Sequence, residues 1–231
     1  NCIADNGGGI YVEKGNRNDV NLSVLNTKFE NCRSKSTKNR QGGGAIWTDV
    51  RKNTTISDVD KSGLYLYKCT FNKCFAYDQG GAVFHRIDSN VDSVTTLDKC
   101  YISGCEARAA GGMDSDAKNV KMIDCTFRNC TATDRNGGGA NFYELNSGSP
   151  TATSSVTATG CIFENCRSTN LGSGDRYGGG FRSTATHTYL TDCTFNRCSA
   201  KRGGGIGISN SNAVLAEVHG CVINGCTSSE I

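Results

Sequence analysis

The sequence of residues 64–86 is LYLYKCTFNKCFAYDQGGAVFHR. It contains two cysteines with four residues between them, an aromatic residue two positions after the first cysteine, and a glycine pair followed by an apolar run. The period-two alternation around the first cysteine indicates short β-strands rather than helices. The composition agrees, because the chain has 29 glycines and glycine costs about 1 kcal/mol in a helix interior relative to alanine.

The same pattern recurs along the whole chain. Six cysteine pairs share the four-residue spacing: Cys69/Cys74, Cys100/Cys105, Cys125/Cys130, Cys161/Cys166, Cys193/Cys198 and Cys221/Cys226. Cys2 and Cys32 occupy the second position of the motif, and Thr27 stands where the first cysteine before Cys32 would be. From Cys2 to Cys226 the second cysteines span 224 residues in seven steps, an average of 32 residues per step.

A repeat of short strands at this period predicts a solenoid. Such a unit cannot bury its apolar face alone, but it does so when units stack. Equivalent residues then lie about 4.8 Å apart in neighbouring coils, so that like residues form columns. We therefore predict one all-β domain over residues 1–231, a parallel β-helix (β-solenoid) of about seven to eight coils. Polar insertions around residues 49–62 and 146–155 are expected to be loops leaving the coil.

The glycine clusters are interpreted as corners between strands. They are Gly7-Gly8-Gly9, Gly42-Gly43-Gly44, Gly80-Gly81, Gly111-Gly112, Gly137-Gly138-Gly139, Gly178-Gly179-Gly180 and Gly203-Gly204-Gly205. A sharp corner needs positive φ or close approach to the next coil, and glycine supplies both. A phosphate-binding loop would instead lead into a helix, whereas a strand pattern follows these glycines.

Two short motifs resemble the repeat of polymorphic outer-membrane proteins. Gly43-Gly44-Ala45-Ile46 is similar to the GGAI half of that repeat, and Phe163-Glu164-Asn165 is similar to its F-x-x-N half. The chain differs in one column, since a cysteine such as Cys166 stands three positions after the phenylalanine. The resemblance implies a right-handed parallel β-helix that is displayed on a cell surface and serves adhesion.

The cysteine content and the charge indicate the compartment. Fourteen cysteines in 231 residues are typical of an oxidising, extracellular setting. Three sequons make Asn21, Asn53 and Asn129 candidates for N-glycosylation, with Asn21 and Asn53 in polar, loop-like stretches and Asn129 shielded beside a cysteine. A net charge of +3 gives no indication of a nucleic-acid partner, and no apolar stretch reaches the roughly 20 residues that span a membrane.

The regular spacing favours disulfides or buried thiols over a metal site or a catalytic thiol. The disulfide candidates are Cys2, Cys32, Cys69, Cys74, Cys100, Cys105, Cys125, Cys130, Cys161, Cys166, Cys193, Cys198, Cys221 and Cys226. Pairing within each motif, with Cys2 joined to Cys32, uses all fourteen. Pairing along each column between coils also uses all fourteen, and the sequence favours the within-motif scheme only slightly.

The functional prediction is a non-catalytic extracellular structural protein, with no cofactor, no metal and no catalytic residue. Neither end of the sequence shows a polar cap, so we expect further coils of the same chain, or copies of it, to stack end to end into a surface fibre. The alternative is an adhesin that binds a ligand, glycans included, through outer-face loops. A polysaccharide lyase or hydrolase is a further alternative, with Asp114, Asp116 and nearby Lys118, in a polar insertion, as its candidates.

Overall fold

The structure is a computed structural model that describes residues 2–13, 19–50, 61–87, 91–143, 153–169, 177–209 and 215–229. Short strands joined by turns make up the secondary structure of these ranges. The first fifteen are β1 (Ile3–Ala4), β2 (Ile10–Glu13), β3 (Asp19–Leu25), β4 (Lys28–Glu30), β5 (Arg33–Ser34), β6 (Ile46–Val50), β7 (Lys61–Tyr67), β8 (Thr70–Asn72), β9 (Phe75–Ala76), β10 (Val83–Ile87), β11 (Asp92–Asp98), β12 (Tyr101–Ser103), β13 (Glu106–Ala107), β14 (Met113–Ser115) and β15 (Asn119–Ile123). The rest are β16 (Thr126–Arg128), β17 (Thr131–Ala132), β18 (Ala140–Phe142), β19 (Ser155–Thr159), β20 (Ile162–Glu164), β21 (Arg167–Ser168), β22 (Phe181–Ser183), β23 (His187–Thr191), β24 (Thr194–Asn196), β25 (Ser199–Ala200), β26 (Ile206–Ile208), β27 (Leu215–His219), β28 (Val222–Asn224) and β29 (Thr227–Ser228).

The strands form four parallel sheets that run along the axis of a β-helix. Sheet A is β1-β5-β9-β13-β17-β21-β25-β29, and sheet B is β2-β6-β10-β14-β18-β22-β26. Sheet C is β3-β7-β11-β15-β19-β23-β27, and sheet D is β4-β8-β12-β16-β20-β24-β28. Each coil contributes one strand to each sheet before the chain rises to the next coil. The predicted all-β parallel β-helix is confirmed.

The core consists of columns of like side chains, as the repeat predicts. One column on sheet D runs Phe29, Phe71, Ile102, Phe127, Phe163, Phe195 and Ile223, in register across neighbouring strands. Neighbouring rings stack in parallel, with centroids 4.9 Å apart for Phe127 and Phe163 and 5.0 Å apart for Phe163 and Phe195. The spacing matches the distance between neighbouring strands, so the backbone register itself aligns the rings.

The glycine clusters form one set of corners, which confirms their structural interpretation. Gly43 has φ +67°, in the left-handed region. Gly44 lies so close to the next coil that a Cβ atom there would be 2.1 Å from the carbonyl oxygen of Gly81 and 2.6 Å from the backbone nitrogen of Phe75. One glycine therefore turns the chain, and the next allows two coils to approach.

A second set of corners lies immediately before the cysteines. The residues before Cys69 and Cys74 are Lys68 and Lys73, with φ +50° and +52°. The corresponding corners of other coils use lysine, asparagine, aspartate, arginine or glycine, for example Asn165 with φ +52° and Gly104 with φ +62°. Asparagine and glycine adopt this conformation most readily, whereas lysine does so here because the stacked coils hold the turn.

The predicted insertions are shorter than expected where the structure describes them. Asp49 and Val50 belong to β6, Lys61 and Ser62 belong to β7, and Ser155 begins β19. Residues 51–60 and 146–152 lie outside the described residues. The prediction placed these strand ends in loops because their side chains are polar, but parallel pairing with the neighbouring coils extends the strands. The described part of the chain holds no helix with the length and hydropathy that a bilayer crossing requires.

Candidate functional site

The outer face of sheet B is covered, which sets it apart from the other sheets. Successive side chains of a strand point to opposite faces, and β7 of sheet C alternates accordingly between buried and more exposed residues. In β6, β14, β18 and β22 every residue is buried. Another part of the chain must therefore lie over the outer face of sheet B.

One register position on this outer face carries a row of large and charged side chains. Trp47, Phe84, Asp114, Asn141 and Arg182 follow one another on β6, β10, β14, β18 and β22. The Asn141 side-chain amide donates a 2.8 Å hydrogen bond to the Asp114 carboxylate, and the Arg182 guanidinium donates a 3.1 Å hydrogen bond to the Asn141 amide oxygen. Arginine, amide and acid are thus linked across three coils.

Residues 35–42, here called the strap, join β5 to β6 and are tied to sheet B through Arg40. The Arg40 guanidinium forms an ion pair with Asp116 at 2.5 Å, and its backbone N–H donates a 2.6 Å hydrogen bond to Asp78. Its carbonyl oxygen accepts a 3.2 Å hydrogen bond from Arg86. Asp78 also forms an ion pair with Arg108 at 3.1 Å. Buried carboxylates therefore hold the strap in place.

Burial raises the pKa of the two central acids. It raises the pKa of Asp114 to about 6, against the opposing hydrogen bond from Asn141 and the charges of Arg40 and Arg182. It also raises the pKa of Asp116 well above its usual range, although Arg40 acts in the opposite direction. Burial lowers the pKa of Arg182, and the Asp114 carboxylate opposes this change. For Asp114, Asp116 and Arg182 alike, the loss of hydration shifts the pKa more than the neighbouring charges do.

A cleft of about 320 Å³ opens between the strap and sheet B. Its lining residues are Asn39, Arg40, Gln79, Ala109, Arg135, Asn136, Asn141, Tyr143 and Arg182. Three arginines and four amides thus meet in a small polar space, and the Arg182 guanidinium lies 5.7 Å from the centroid of the Tyr143 ring. The volume falls within the range of about 300–1,000 Å³ that is usual for small-molecule sites.

The described residues that line the cleft carry polar atoms without hydrogen-bond partners and the positive charge of three arginines. Gln79 and Arg182 are 8% and 9% exposed, and the Gln79 side-chain oxygen and the Arg182 Nε have no hydrogen-bond partner within the described residues. Among those residues the lining contains no carboxylate. Such groups are costly when buried and unsatisfied, so they favour a ligand with both hydrogen-bonding groups and negative charge.

The sequence placed Asp114 and Asp116 in a solvated insertion, and this was wrong. Asp114 lies in β14 and is fully buried, and Asp116 is 5% exposed. Lys118 is exposed and does not join them, and its backbone N–H donates a 2.9 Å hydrogen bond to Ser93. Carboxylates in a polar stretch look solvated in a sequence, but here Asp116 is paired with Arg40 of the strap and Asp114 is hydrogen-bonded to Asn141 under a covered sheet.

The arginines and amides of the cleft were not identified from the sequence. A signal was nevertheless available in the spacing of the repeats. Phe84, Asn141 and Arg182 each stand three residues after the glycine that lies against the next coil, namely Gly81, Gly138 and Gly179. Aligning the repeats on that glycine would have placed them in one column. Arg40 and Arg135 stand outside the strands, and no repeat pattern marks them.

The cysteines lie in two columns along the coil. The six-cysteine column is Cys69, Cys100, Cys125, Cys161, Cys193 and Cys221, and the eight-cysteine column is Cys2, Cys32, Cys74, Cys105, Cys130, Cys166, Cys198 and Cys226. All fourteen side chains are free thiols in the structure, and most are buried. Within the described ranges no group of three or more histidine, cysteine, aspartate or glutamate side chains is placed to hold a metal ion.

Two of the three predicted glycosylation positions lie on the surface. Asn21 is exposed in β3, on a strand rather than in the predicted loop. Asn129 is exposed at a corner with φ +53°, so the expected shielding by Cys130 is wrong, since the cysteine points inward while the corner faces outward. Asn53 lies outside the described residues. Whether any of these asparagines carries a glycan stays a prediction.

Comparison with known proteins agrees with this geometry. A family model described as a right handed beta helix region matches residues 45–231. The chain belongs to the right-handed β-helix family. The match confirms the predicted handedness. The matched range contains every strand of sheet B from β6 onward. No curated protein and no solved structure matches the chain.

The family match identifies the right-handed β-helix but no particular repeat family within it. It supports the right-handed coil, whereas the resemblance to the polymorphic outer-membrane repeat stays a prediction. The matched range begins at Ala45, so it contains Asp114, Asn141 and Arg182 but excludes the strap and Arg40.

Proposed function

We propose that this β-helix is a non-catalytic extracellular surface protein of the adhesin type, which binds an acidic saccharide in the cleft between the strap and sheet B. The observation that supports this proposal is the lining itself, in which Arg40, Arg135 and Arg182 meet four amides, while Asp116, the acid paired with Arg40, is not among the described lining residues. The surface location follows from the cysteine content and from the resemblance to surface-displayed repeats.

The side chains of the cleft match the chemistry of an acidic sugar. A guanidinium presents donors in a planar fork that suits a carboxylate or a sulfate group. The amides of Asn39, Asn136 and Gln79 offer donors and acceptors of the kind that hydroxyl groups need. Tyr143 is 39% exposed and adds an aromatic surface at the edge of the cleft. Uronic acids and sulfated sugars share the required combination of hydroxyls and one negative group.

Binding is favoured over catalysis because the acids lie behind the cleft rather than in it. Asp114 accepts a hydrogen bond from Asn141, and Asp116 is paired with Arg40. A glycosidase would need two carboxyl groups facing the scissile bond. In this arrangement the carboxylates position the amide and the arginine that a ligand would contact.

The test measures binding of the intact protein to uronic-acid oligosaccharides, sulfated oligosaccharides and neutral oligosaccharides by calorimetry. We expect the acidic sugars to bind and the neutral ones to bind much more weakly. Arg182→Gln should weaken binding about 10- to 100-fold, because a charged hydrogen bond contributes about 1.5–3 kcal/mol. Arg128→Gln is the matched control, since Arg128 pairs with Glu164 on the outer face of sheet D.

Three outcomes would contradict this function. Absence of binding to every acidic sugar would remove the proposed ligand class, and equal binding of neutral sugars would remove the role of the arginines. Shortening of the oligosaccharide that disappears in Asp114→Asn or Asp116→Asn would show a carbohydrate-active enzyme instead.

The second candidate function is the end-to-end stacking into a surface fibre that the sequence predicts. Within the chain, coils already stack through columns of like side chains, as Phe163 does between Phe127 and Phe195. In such a fibre the same kind of contact would join one copy to the next.

Stacking between copies predicts ligand-independent assembly. We expect the homogeneous protein to form rods whose axial repeat is about 34 Å, or seven coil steps of about 4.8 Å, in electron micrographs. Single short particles of the unmodified protein would refute stacking between copies.

A further inference from the structure

The two cysteine columns begin at different coils. Thr27 lies one coil before Cys69, and the backbone N–H of Thr70 donates a hydrogen bond to the Thr27 carbonyl oxygen. The six-cysteine column therefore starts at Cys69. The eight-cysteine column begins earlier, because Cys32 lies in the same coil as Thr27 and Cys2 lies in the coil before it. The backbone N–H of Arg33, which follows Cys32, donates a hydrogen bond to the Cys2 carbonyl oxygen and so aligns these two cysteines.

The cysteines of each column stand at equivalent positions of successive coils. The backbone N–H groups of Tyr101 and Thr126, which follow Cys100 and Cys125, donate 2.9 Å hydrogen bonds to the carbonyl oxygens of Cys69 and Cys100. In the eight-cysteine column, the backbone N–H group of Phe75, which follows Cys74, donates in the same way to the Cys32 carbonyl oxygen. Equivalent backbone hydrogen bonds continue through both columns to Cys221 and Cys226.

Coil spacing suits disulfides between neighbouring coils. Parallel strands lie about 4.8 Å apart, and the Cα atoms of a disulfide are usually about 4.4–6.8 Å apart. The two cysteines of one motif, such as Cys69 and Cys74, stand on either side of a whole strand, β8, and of the corner at Lys73. The geometry therefore favours column pairing over the within-motif pairing that the sequence slightly favoured.

The position of Thr27 then fixes which coils are joined. Because the column stops at Thr27, Cys69 has Cys100 as its single column neighbour. A Cys69–Cys100 bond holds two coils together and so favours Cys74–Cys105 between the same two coils, which sets the register of both columns. We propose that the six-cysteine column forms Cys69–Cys100, Cys125–Cys161 and Cys193–Cys221. The eight-cysteine column forms Cys2–Cys32, Cys74–Cys105, Cys130–Cys166 and Cys198–Cys226.

Both columns then join the same coils. Cys69 and Cys74 belong to one coil, and their partners Cys100 and Cys105 belong to the next. The same holds for the pairs that begin at Cys125 and Cys130 and at Cys193 and Cys198. Disulfides thus join the coils in pairs. Between one pair of coils and the next, only strand hydrogen bonds and core packing hold the coils together. With a cysteine at position 27, Cys69 would have two column neighbours and the two columns would no longer be held in the same register.

The oxidant that the proposal requires is a small-molecule disulfide such as oxidised glutathione. One cysteine thiolate attacks the glutathione disulfide, forms a mixed disulfide and releases one glutathione thiol. The second thiolate attacks the protein sulfur of that mixed disulfide and releases the second glutathione. Two protein thiols are oxidised and one glutathione disulfide is reduced to two thiols. Because the thiols are buried after folding, the exchange takes place while the coils close.

The test is disulfide mapping by mass spectrometry after refolding the fully reduced chain in a glutathione redox buffer. We expect the loss of all fourteen free thiols and the seven pairs named above. Bonds within a motif, such as Cys69–Cys74, would overturn the proposal. Bonds in the shifted register, such as Cys32–Cys74 or Cys100–Cys125, would also overturn it, as would fourteen free thiols in the refolded protein.

Two variants test the role of the column start. Cys69→Ala should leave one free thiol, Cys100, while Cys125–Cys161 and Cys193–Cys221 still form. T27C extends the shorter column by one coil, so the introduced thiol should compete with Cys100 for Cys69 while the eight-cysteine column is unchanged. Exclusive formation of Cys69–Cys100 in T27C would show that Thr27 does not set the register. Mapping of the unmodified chain decides the proposal even if a variant does not fold.

Discussion

Gly44→Ala is expected to destabilise the protein by more than about 4 kcal/mol, or to prevent folding altogether. The added Cβ would lie 2.1 Å from the Gly81 carbonyl oxygen and 2.6 Å from the Phe75 backbone nitrogen. These are backbone atoms of the next coil, so neither can move aside without breaking the parallel pairing. Urea unfolding followed by circular dichroism measures the effect.

Gly104→Ala is the matched control for Gly44→Ala. Gly104 has φ +62°, but a Cβ atom there would meet its nearest neighbour, the Lys73 side chain, at 3.5 Å. The expected loss is about 1–2 kcal/mol, the cost of the left-handed conformation alone. The same corner in other coils holds Asn31, Asn165 or Arg197, which shows that a side chain fits. Equal losses for the two variants would contradict the close-approach explanation.

Phe163→Ala is expected to destabilise the protein by about 3–5 kcal/mol. The Phe163 ring is fully buried and stacks between Phe127 and Phe195, and its edge meets Phe181 at a centroid distance of 5.9 Å. Removing the ring leaves a cavity in the middle of the column. The surrounding strands cannot close it, because their separation is fixed by backbone hydrogen bonds. The shift of the denaturation midpoint measures the loss.

Phe163→Ile provides the comparison within the same column. Isoleucine already occupies this position at Ile102, where it is fully buried. The expected loss is less than about 1.5 kcal/mol, because the column keeps most of its volume. An alanine variant as stable as the isoleucine variant would show that the aromatic column does not carry the stability assigned to it.

The candidate site was only partly open to prediction from the sequence. Asp114 and Asp116 were singled out, but as solvated side chains, because a carboxylate at a strand end is usually exposed. Asp116 is paired with Arg40, which lies 76 residues before it in the chain, and Asp114 accepts a hydrogen bond from Asn141 on the next coil. Arg182 was not singled out, because its spacing after the glycine corner places it in a column but does not show which side chains of that column form a site. It becomes part of the site through its hydrogen bond to Asn141 on the preceding coil.

The sequence by itself determined the coil, its length and its columns. A period of 32 residues on average places equivalent residues of successive repeats together, so every stacked contact follows from the repeat. Tertiary structure alone decided which outer face is covered and where charge is buried. The strap reaches Asp78 across 38 residues and Asp116 across 76, and neither distance is a multiple of the average repeat. Contacts of this kind depend on how one irregular segment folds back onto the coil, and no periodicity encodes them.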